Sequence, residues 1–372
     1  MGLLSKEDWG AQWISTTPRK TVKVKANESP VARYLRHEFI LEKKTVKQAR
    51  VYVCGLGYYE LLINGIRIGD HLLDPATRNF YKQSPYITYE VKKNIQAGGN
   101  ALGVVLGNGF FVGQSAWLRN YGMPMLLLQL EIDYADGSRQ TIVSNKNWKV
   151  TDNGPIRANS IYHGETYDAR LEMPNWSKVG FDDQEWEKIE LVKPVSDRLV
   201  SAAGFPPVRV TGERQPVKIT QPQKDGWIFD MGQNLVGVGR LKVKGDAGTE
   251  IKMHFAESLY PNGMIDVRNL RSAACTDHYM LKGTGDYETY TPAFTYHGFR
   301  FVEVTGLSEE PTEETLTALI MNTDLPHAGD FQCSDPTLTQ IFKNAHWGIR
   351  GNYTAMPTDC PQRDERHGWL GD

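Results

Sequence analysis

The densest group of chemistry-bearing side chains lies at the end of the sequence. Residues 359–372 hold four carboxylates, Asp359, Asp364, Glu365 and Asp372, together with Arg363, Arg366 and one aromatic wall candidate, Trp369. Crowded carboxyls disfavour one another's ionisation, so one of them is a candidate to keep its proton near neutral pH, as a general acid must. An arginine beside another acid does the reverse, holding it ionised and in place, and the two effects together give acids with different roles. The same composition also describes an exposed, salt-bridged loop, since charge clusters are commonly solvated faces. Composition leaves both readings open.

The elements that would carry this group change character along the chain. From Val51 to about Val150 the pattern has period two, with Tyr59, Leu61 and Ile63 set against Glu60 and Asn64, and Asn64-Gly65 where the chain should reverse. Leu126, Leu128, Leu130 and Ile132 alternate with Gln129, Glu131 and Asp133, and Asp136-Gly137 then turns the chain into Thr141–Val143. Such strands, with no amphipathic helix between them, indicate a sandwich or jelly roll rather than βαβ units. The text becomes irregular between Glu172 and Pro207, where a boundary is expected. A second β pattern follows, with Leu241 and Val243, then Ile251, Met253 and Phe255, and the closing run FRFVEVTG. At Ser334 the period changes: Ser334 or Asp335 can cap a helix with Pro336 at its first position, and Leu338, Ile341, Phe342 and Ala345 fall at helical spacing.

Composition narrows the partner. The formal charge is −2 with only short charged runs, which favours neither a nucleic acid nor a membrane surface. Nine Trp and 17 Tyr suit β-rich cores and also suit faces on which neutral rings stack. Cys54, Cys275, Cys333 and Cys360 have no zinc-site spacing and read as free thiols. The start MGLLSKEDWGAQWIS lacks an apolar run of secretory length, and no later segment approaches about 18 apolar residues, so a cytoplasmic location is expected.

The run Asp359-Cys360-Pro361-Gln362-Arg363-Asp364-Glu365-Arg366, continuing through Gly368-Trp369 to Gly371-Asp372, resembles the catalytic-loop signature of the bacterial α-L-rhamnosidases of the inverting, six-hairpin (α/α)₆ type. The resemblance implies that Glu365 is the general acid, that Asp359 and Asp372 bind rhamnose hydroxyls, and that Trp369 lines the pocket, with Arg363 and Asp364 also among the substrate-binding residues. Residue types agree: one acid to protonate the leaving oxygen, flanking carboxylates for sugar hydroxyls, an aromatic for the ring. Upstream, GETYDAR at Gly164–Arg170 is similar to the end of the family's N-terminal β-module. FDMGQN at Phe229–Asn234, AES at Ala256–Ser258 and HGFRFVEVTG at His297–Gly306 are similar to its second. These upstream runs read first as glycine turns and buried strand edges, although Asp230, Glu257 and Arg300 could border a cleft. Asn108 is similar to a position where some relatives bind calcium and sugar, but Gly107 rather than an acid precedes it, and no metal is carried over.

The resulting expectation is a mainly β chain: an N-terminal β-sandwich module over 1–206, a second β-sandwich module over 207–326, and the start of an (α/α)₆ catalytic domain over 327–372. The implied activity is inverting hydrolysis of terminal α-L-rhamnosides without cofactor or metal, with a small carbohydrate as partner and homo-oligomerisation left open. An inverting hydrolase also needs a base across the sugar. In the family that glutamate lies far downstream in the barrel, so the chain alone should be inactive, and the segment after about Asn352 should be loosely packed with exposed carboxylates. The rival readings are a non-catalytic β-sandwich carbohydrate-binding or scaffold fragment, and a related glycosidase acting on another deoxysugar.

Overall fold

A computed structural model describes residues 5–16, 29–77, 79–113 and 119–369. The chain divides into two compact units, one of residues 1–159 and 171–205, the other of residues 160–170 and 206–372. Almost all regular structure is β-strand, as the period-two text leads one to expect.

In the first unit the main strands are β1 (Arg33–Leu41), β2 (Val46–Leu56), β3 (Tyr58–Ile63), β4 (Ser84–Glu90), β5 (Gly98–Gly107) and β6 (Met125–Tyr134). β6, β2 and β4 are neighbours in a seven-stranded sheet, and β1, β5 and β3 in a six-stranded one. Their inward residues form one core: Leu35 and Leu41, Val51 and Val53, Leu61 and Ile63, Leu102 and Val104, and Leu128, Leu130 and Ile132. This is the reason for the alternation, because each such side chain, once buried, contributes about 1.5–3 kcal/mol. Asn64 (φ 52°) and Gly65 (φ 83°) form the two-residue turn at the end of β3, where both positions demand a positive φ. Asn108, the residue set apart in the sequence, is buried, and its amide nitrogen donates to the carbonyls of Pro30 (2.7 Å) and Asn159 (2.9 Å).

In the second unit the strands are β7 (Gly164–Asp168), β8 (Gly226–Val243), β9 (Glu250–Ala256), β10 (Thr276–Met280), β11 (His297–Thr305) and β12 (Leu316–Thr323). They are hydrogen-bonded in the order β7-β10-β9-β11-β8-β12, antiparallel except for β7 alongside β10. The register of β8 with β11 shifts between Asp230 and Leu235, at FDMGQN.

Two of the sequence runs singled out above meet in a buried polar network. Asp277 of β10 contacts His297 Nε2 of β11 at 3.1 Å and accepts the Glu165 backbone N–H of β7 at 2.8 Å. The Glu165 carboxylate accepts the N–H groups of Ala293 and Phe294 and the Tyr290 hydroxyl. Burial, with Asp277 nearby, pushes the Glu165 carboxyl up to about 8 from its ordinary 4.5. The folded chain therefore holds a proton that the unfolded chain releases. Stability from this group is complete below about pH 4.5 and falls as pH rises toward 8, by at most about 1.4 kcal/mol per pH unit. Glu165→Gln should lack this slope, so thermal unfolding should show its Tm gaining on that of the wild type between pH 5 and pH 8; parallel curves would contradict the assignment.

The helix α1 spans Pro336–Gly351, with Asp335 at its cap accepting the Thr337 N–H at 2.8 Å. Its apolar stripe is uncovered among the described residues: Leu338, Ile341 and Ile349 are 50%, 57% and 65% exposed. A helix seldom holds such a face in water unless another element is meant to cover it.

Candidate active site

After α1 the chain makes a small antiparallel ladder, Tyr353–Thr354 with Met356–Pro357, and enters the acidic loop. The Asp359 N–H donates to the His367 carbonyl at 2.7 Å, so the loop is pinched shut at its base. Its centre is held by Arg366, which is 1% exposed. The Arg366 guanidinium donates to the carbonyls of Ile161, Tyr296 (3.0 Å) and Arg363 (3.1 Å) and lies over the rings of Tyr296 and Tyr162, 4.5 Å and 5.2 Å from their centroids. The Tyr162 hydroxyl donates to the Glu365 carbonyl at 2.9 Å, and the Cys275 thiol donates to the Gln362 carbonyl at 2.9 Å.

Loose packing of this segment was the expectation, and the structure corrects it. Asp364 and Glu365 are each 7% exposed. The loop is fastened by the β-rich unit from which it emerges and does not wait for further helices to bury it.

The charges are arranged around Glu365. Its Oε2 accepts from Arg271 Nη1 at 2.8 Å, with Arg363 Nη2 at 3.4 Å; its Oε1 accepts the Trp369 indole N–H at 3.0 Å. Arg363 is also bound to Asp359 Oδ2. Burial acts to raise the Asp359 carboxyl, but hydrogen bonds from Arg363 and Cys360 outweigh it and hold this acid below the usual carboxylate value. Its other oxygen, Oδ1, is buried with no hydrogen-bond partner among the described residues. Asp364 accepts from the Ser272 hydroxyl and, at 3.4 Å, from the Ser272 N–H. Trp369 is 54% exposed beyond its bond to Glu365. The candidates Asp359, Arg363, Asp364, Glu365 and Trp369 thus share one loop, whereas Asp372 lies outside the described residues.

Of the upstream candidates, Asp230 and Arg300 are engaged with each other in a two-pronged pair at 2.8 and 2.9 Å. Glu257 accepts the side-chain amides of Asn234 and Asn269, both at 2.8 Å. Glu257 and Asp359 border the same cavity of about 900 Å³, along with Asn234, Gln362 and Trp347. Arg271, Ser272 and Tyr162, which hold the acidic loop, were not foreseen in the sequence. Arg271 and Ser272 lie more than 90 residues from their partners Glu365 and Asp364 and in no quoted motif, and Tyr162 only two residues before one, so no local signal marks them.

The close approach of β11 to the loop makes a test. A Cβ on Gly298 would stand 2.6 Å from Pro361 Cγ and 3.3 Å from Gln362 Cβ. Gly298→Ala should displace Pro361-Gln362 at about 1–3 kcal/mol. Amide exchange over residues 359–367 should then quicken by roughly tenfold or more while β8 and β11 stay slow, whereas an unchanged loop would show that Pro361 is not seated on Gly298.

Comparison with known proteins agrees with this architecture in sequence order. Residues 44–212 match the alpha-L-rhamnosidase N-terminal domain, residues 220–322 the bacterial alpha-L-rhamnosidase concanavalin-like domain, and residues 326–372 the bacterial alpha-L-rhamnosidase 6 hairpin glycosidase domain. A curated alpha-L-rhamnosidase of Streptomyces avermitilis is 43% identical over 92% of this chain and 33% of its own length; one of Formosa agariphila is 38% identical over 100% of this chain and 41% of its own. Among solved structures, the alpha-L-rhamnosidase of Dictyoglumus thermophilum superposes with a TM-score of 0.92 at 41% identity, covering 100% of this chain and 42% of that one. The Streptomyces avermitilis alpha-L-rhamnosidase complexed with L-rhamnose gives 0.89 at 42% identity, covering 92% and 34%. The chain thus spans about a third to two fifths of the length of these relatives. With three successive domain matches and relatives aligned along nearly all of its length, the chain belongs to the bacterial α-L-rhamnosidase family and carries that family's N-terminal portion.

Proposed function

We propose that this chain is the acid-bearing part of an inverting α-L-rhamnosidase, which removes terminal α-L-rhamnosyl residues from glycosides. The observation that carries the proposal is the loop itself: Asp359, Arg363, Asp364, Glu365 and Trp369 are brought together and fastened by the β-rich unit, with the Glu365 carboxyl fixed in place at one oxygen by Arg271 and at the other by the Trp369 indole. Two donors on opposite oxygens fix the plane of the carboxyl, so it can meet the glycosidic oxygen with little reorganisation. Glu365 is the general acid. Asp359, kept ionised by Arg363 and bordering the cavity, is assigned to a sugar hydroxyl, and Asp372 is assigned the same role. Arg363 and Asp364 shape the loop, and the exposed part of Trp369 offers a face for the sugar ring.

The helix and loop from about residue 327 open an (α/α)₆ barrel, and the exposed stripe of α1 is the face its later helices cover. The general base belongs to that remainder. With an acid but no base, residues 1–372 should hydrolyse an aryl α-L-rhamnoside at or near background, since base assistance alone is worth about 10²–10⁴-fold. Turnover at ordinary enzyme rates that vanishes on Glu365→Gln would require a base within this chain, and Glu257, bordering the cavity with Asp359, would be the first to test. A cytoplasmic location is part of the same proposal, supported by four free cysteines.

A further inference from the structure

We propose that Arg271 is a positioning residue for Glu365: a side chain from the β-rich unit that sets where the acid's carboxyl stands, acting through that carboxyl and not on the substrate. The inference rests on the reading of Glu365 as the general acid.

It begins with a backbone conformation. Arg271 has φ 57° and ψ −116°, and the Ala273 N–H donates to the Leu270 carbonyl at 3.1 Å, closing a four-residue turn around it. These angles are those of the first central residue of a type II′ turn, a position dominated by glycine because a Cβ there is strained. Strain of this kind persists where the surroundings impose it, and it gathers at functional sites. Core packing does not supply the reason here, since the Arg271 side chain is 45% exposed. What the side chain does reach is Glu365 Oε2, at 2.8 Å.

The neighbouring residues narrow the role. Ser272 binds Asp364, and Cys275, also at positive φ (43°), binds the Gln362 carbonyl. The turn and Cys275 just beyond it therefore fasten the acidic loop at three points, of which only Arg271 touches the carboxyl that would donate the proton. Arg363 stands farther off, at 3.4 Å, and is committed to Asp359. Without Arg271 the loop keeps its other ties while the Glu365 carboxyl keeps one close donor, the Trp369 indole, and is free to pivot about it.

Arg271→Gly and Arg271→Ala separate positioning from structure. Glycine relieves the turn and alanine does not, so in thermal unfolding of residues 1–372 the glycine variant should melt above the alanine variant by about 2–8 °C. Kinetics are read in a form of the protein carrying the remainder of the six-hairpin domain. There both variants should lose about 10²-fold in kcat on rhamnosides with poor leaving groups, since a misplacement of about 1 Å costs that much. An activated aryl rhamnoside, whose leaving oxygen hardly needs a proton, should change by less than about threefold, with KM little altered. Arg271→Lys, which keeps the charge, should fall between. Activity that followed melting temperature, with glycine near wild type, or equal losses on both substrates, would overturn the positioning role. If Glu365→Gln shows the leaving-group dependence while the Arg271 variants keep wild-type rates, only the role of Arg271 fails. If Glu365→Gln shows no such dependence, the assignment of the acid fails and this inference with it.

Discussion

Glu365→Gln should lower hydrolysis of a rhamnoside with a poor leaving group by about 10²–10⁴-fold, in a form of the protein that carries the remainder of the barrel. Glutamine keeps the shape of the side chain; its single amide oxygen can accept one of the Arg271 and Trp369 donors but not both, and the loop should stay in place through Arg366, Tyr162 and Ser272. What it removes is the proton delivered to the departing oxygen. An aryl rhamnoside whose phenol is already a good leaving group should therefore retain much more of its rate, and the contrast between substrates carries the information. Uniform loss on both substrates would show that Glu365 organises the site without donating to the leaving group.

The second large effect concerns the loop itself. Arg366→Met should destabilise the loop by about 2–5 kcal/mol, because the carbonyls of Ile161 and Tyr296 would be left buried without their donor and two tyrosine rings would lose the guanidinium stacked on them. The change should be local. Amide exchange from Asp359 to Trp369 should accelerate by roughly 30-fold or more, while the strands β9 and β11 remain protected. Equal acceleration in the strands would mean that Arg366 belongs to the general core, and no acceleration would mean that the loop is held by other bonds.

The parts of the fold that were legible in the sequence are those whose cause is local. Period-two alternation and the Asn64-Gly65 and Asp136-Gly137 turns appear as hairpins, and the Asp335-Pro336 cap begins a helix, because each needs only neighbouring residues to form. Pairings between distant segments left no such trace: β7 lies parallel to β10, although more than 100 residues separate them. The same distinction governs the site. The loop is visible as a charge cluster and as a resemblance, but its packing is not. The reason is that Arg366 is held by backbone carbonyls, which any residue supplies, so nothing in the text near Ile161 or Tyr296 announces the contact. Arg271 leaves no mark in the sequence for a related reason, since a strained turn position cannot be seen in residue types alone.

The most direct measurement is proton NMR of the first sugar released when a form carrying the remainder of the barrel acts on an aryl α-L-rhamnoside. The expected result is L-rhamnose appearing first as its β anomer, at a rate that collapses when a poor leaving group is combined with Glu365→Gln, since a single displacement by water inverts the anomeric centre. Release of the α anomer first, or no release of rhamnose from any α-L-rhamnoside, would contradict the assignment.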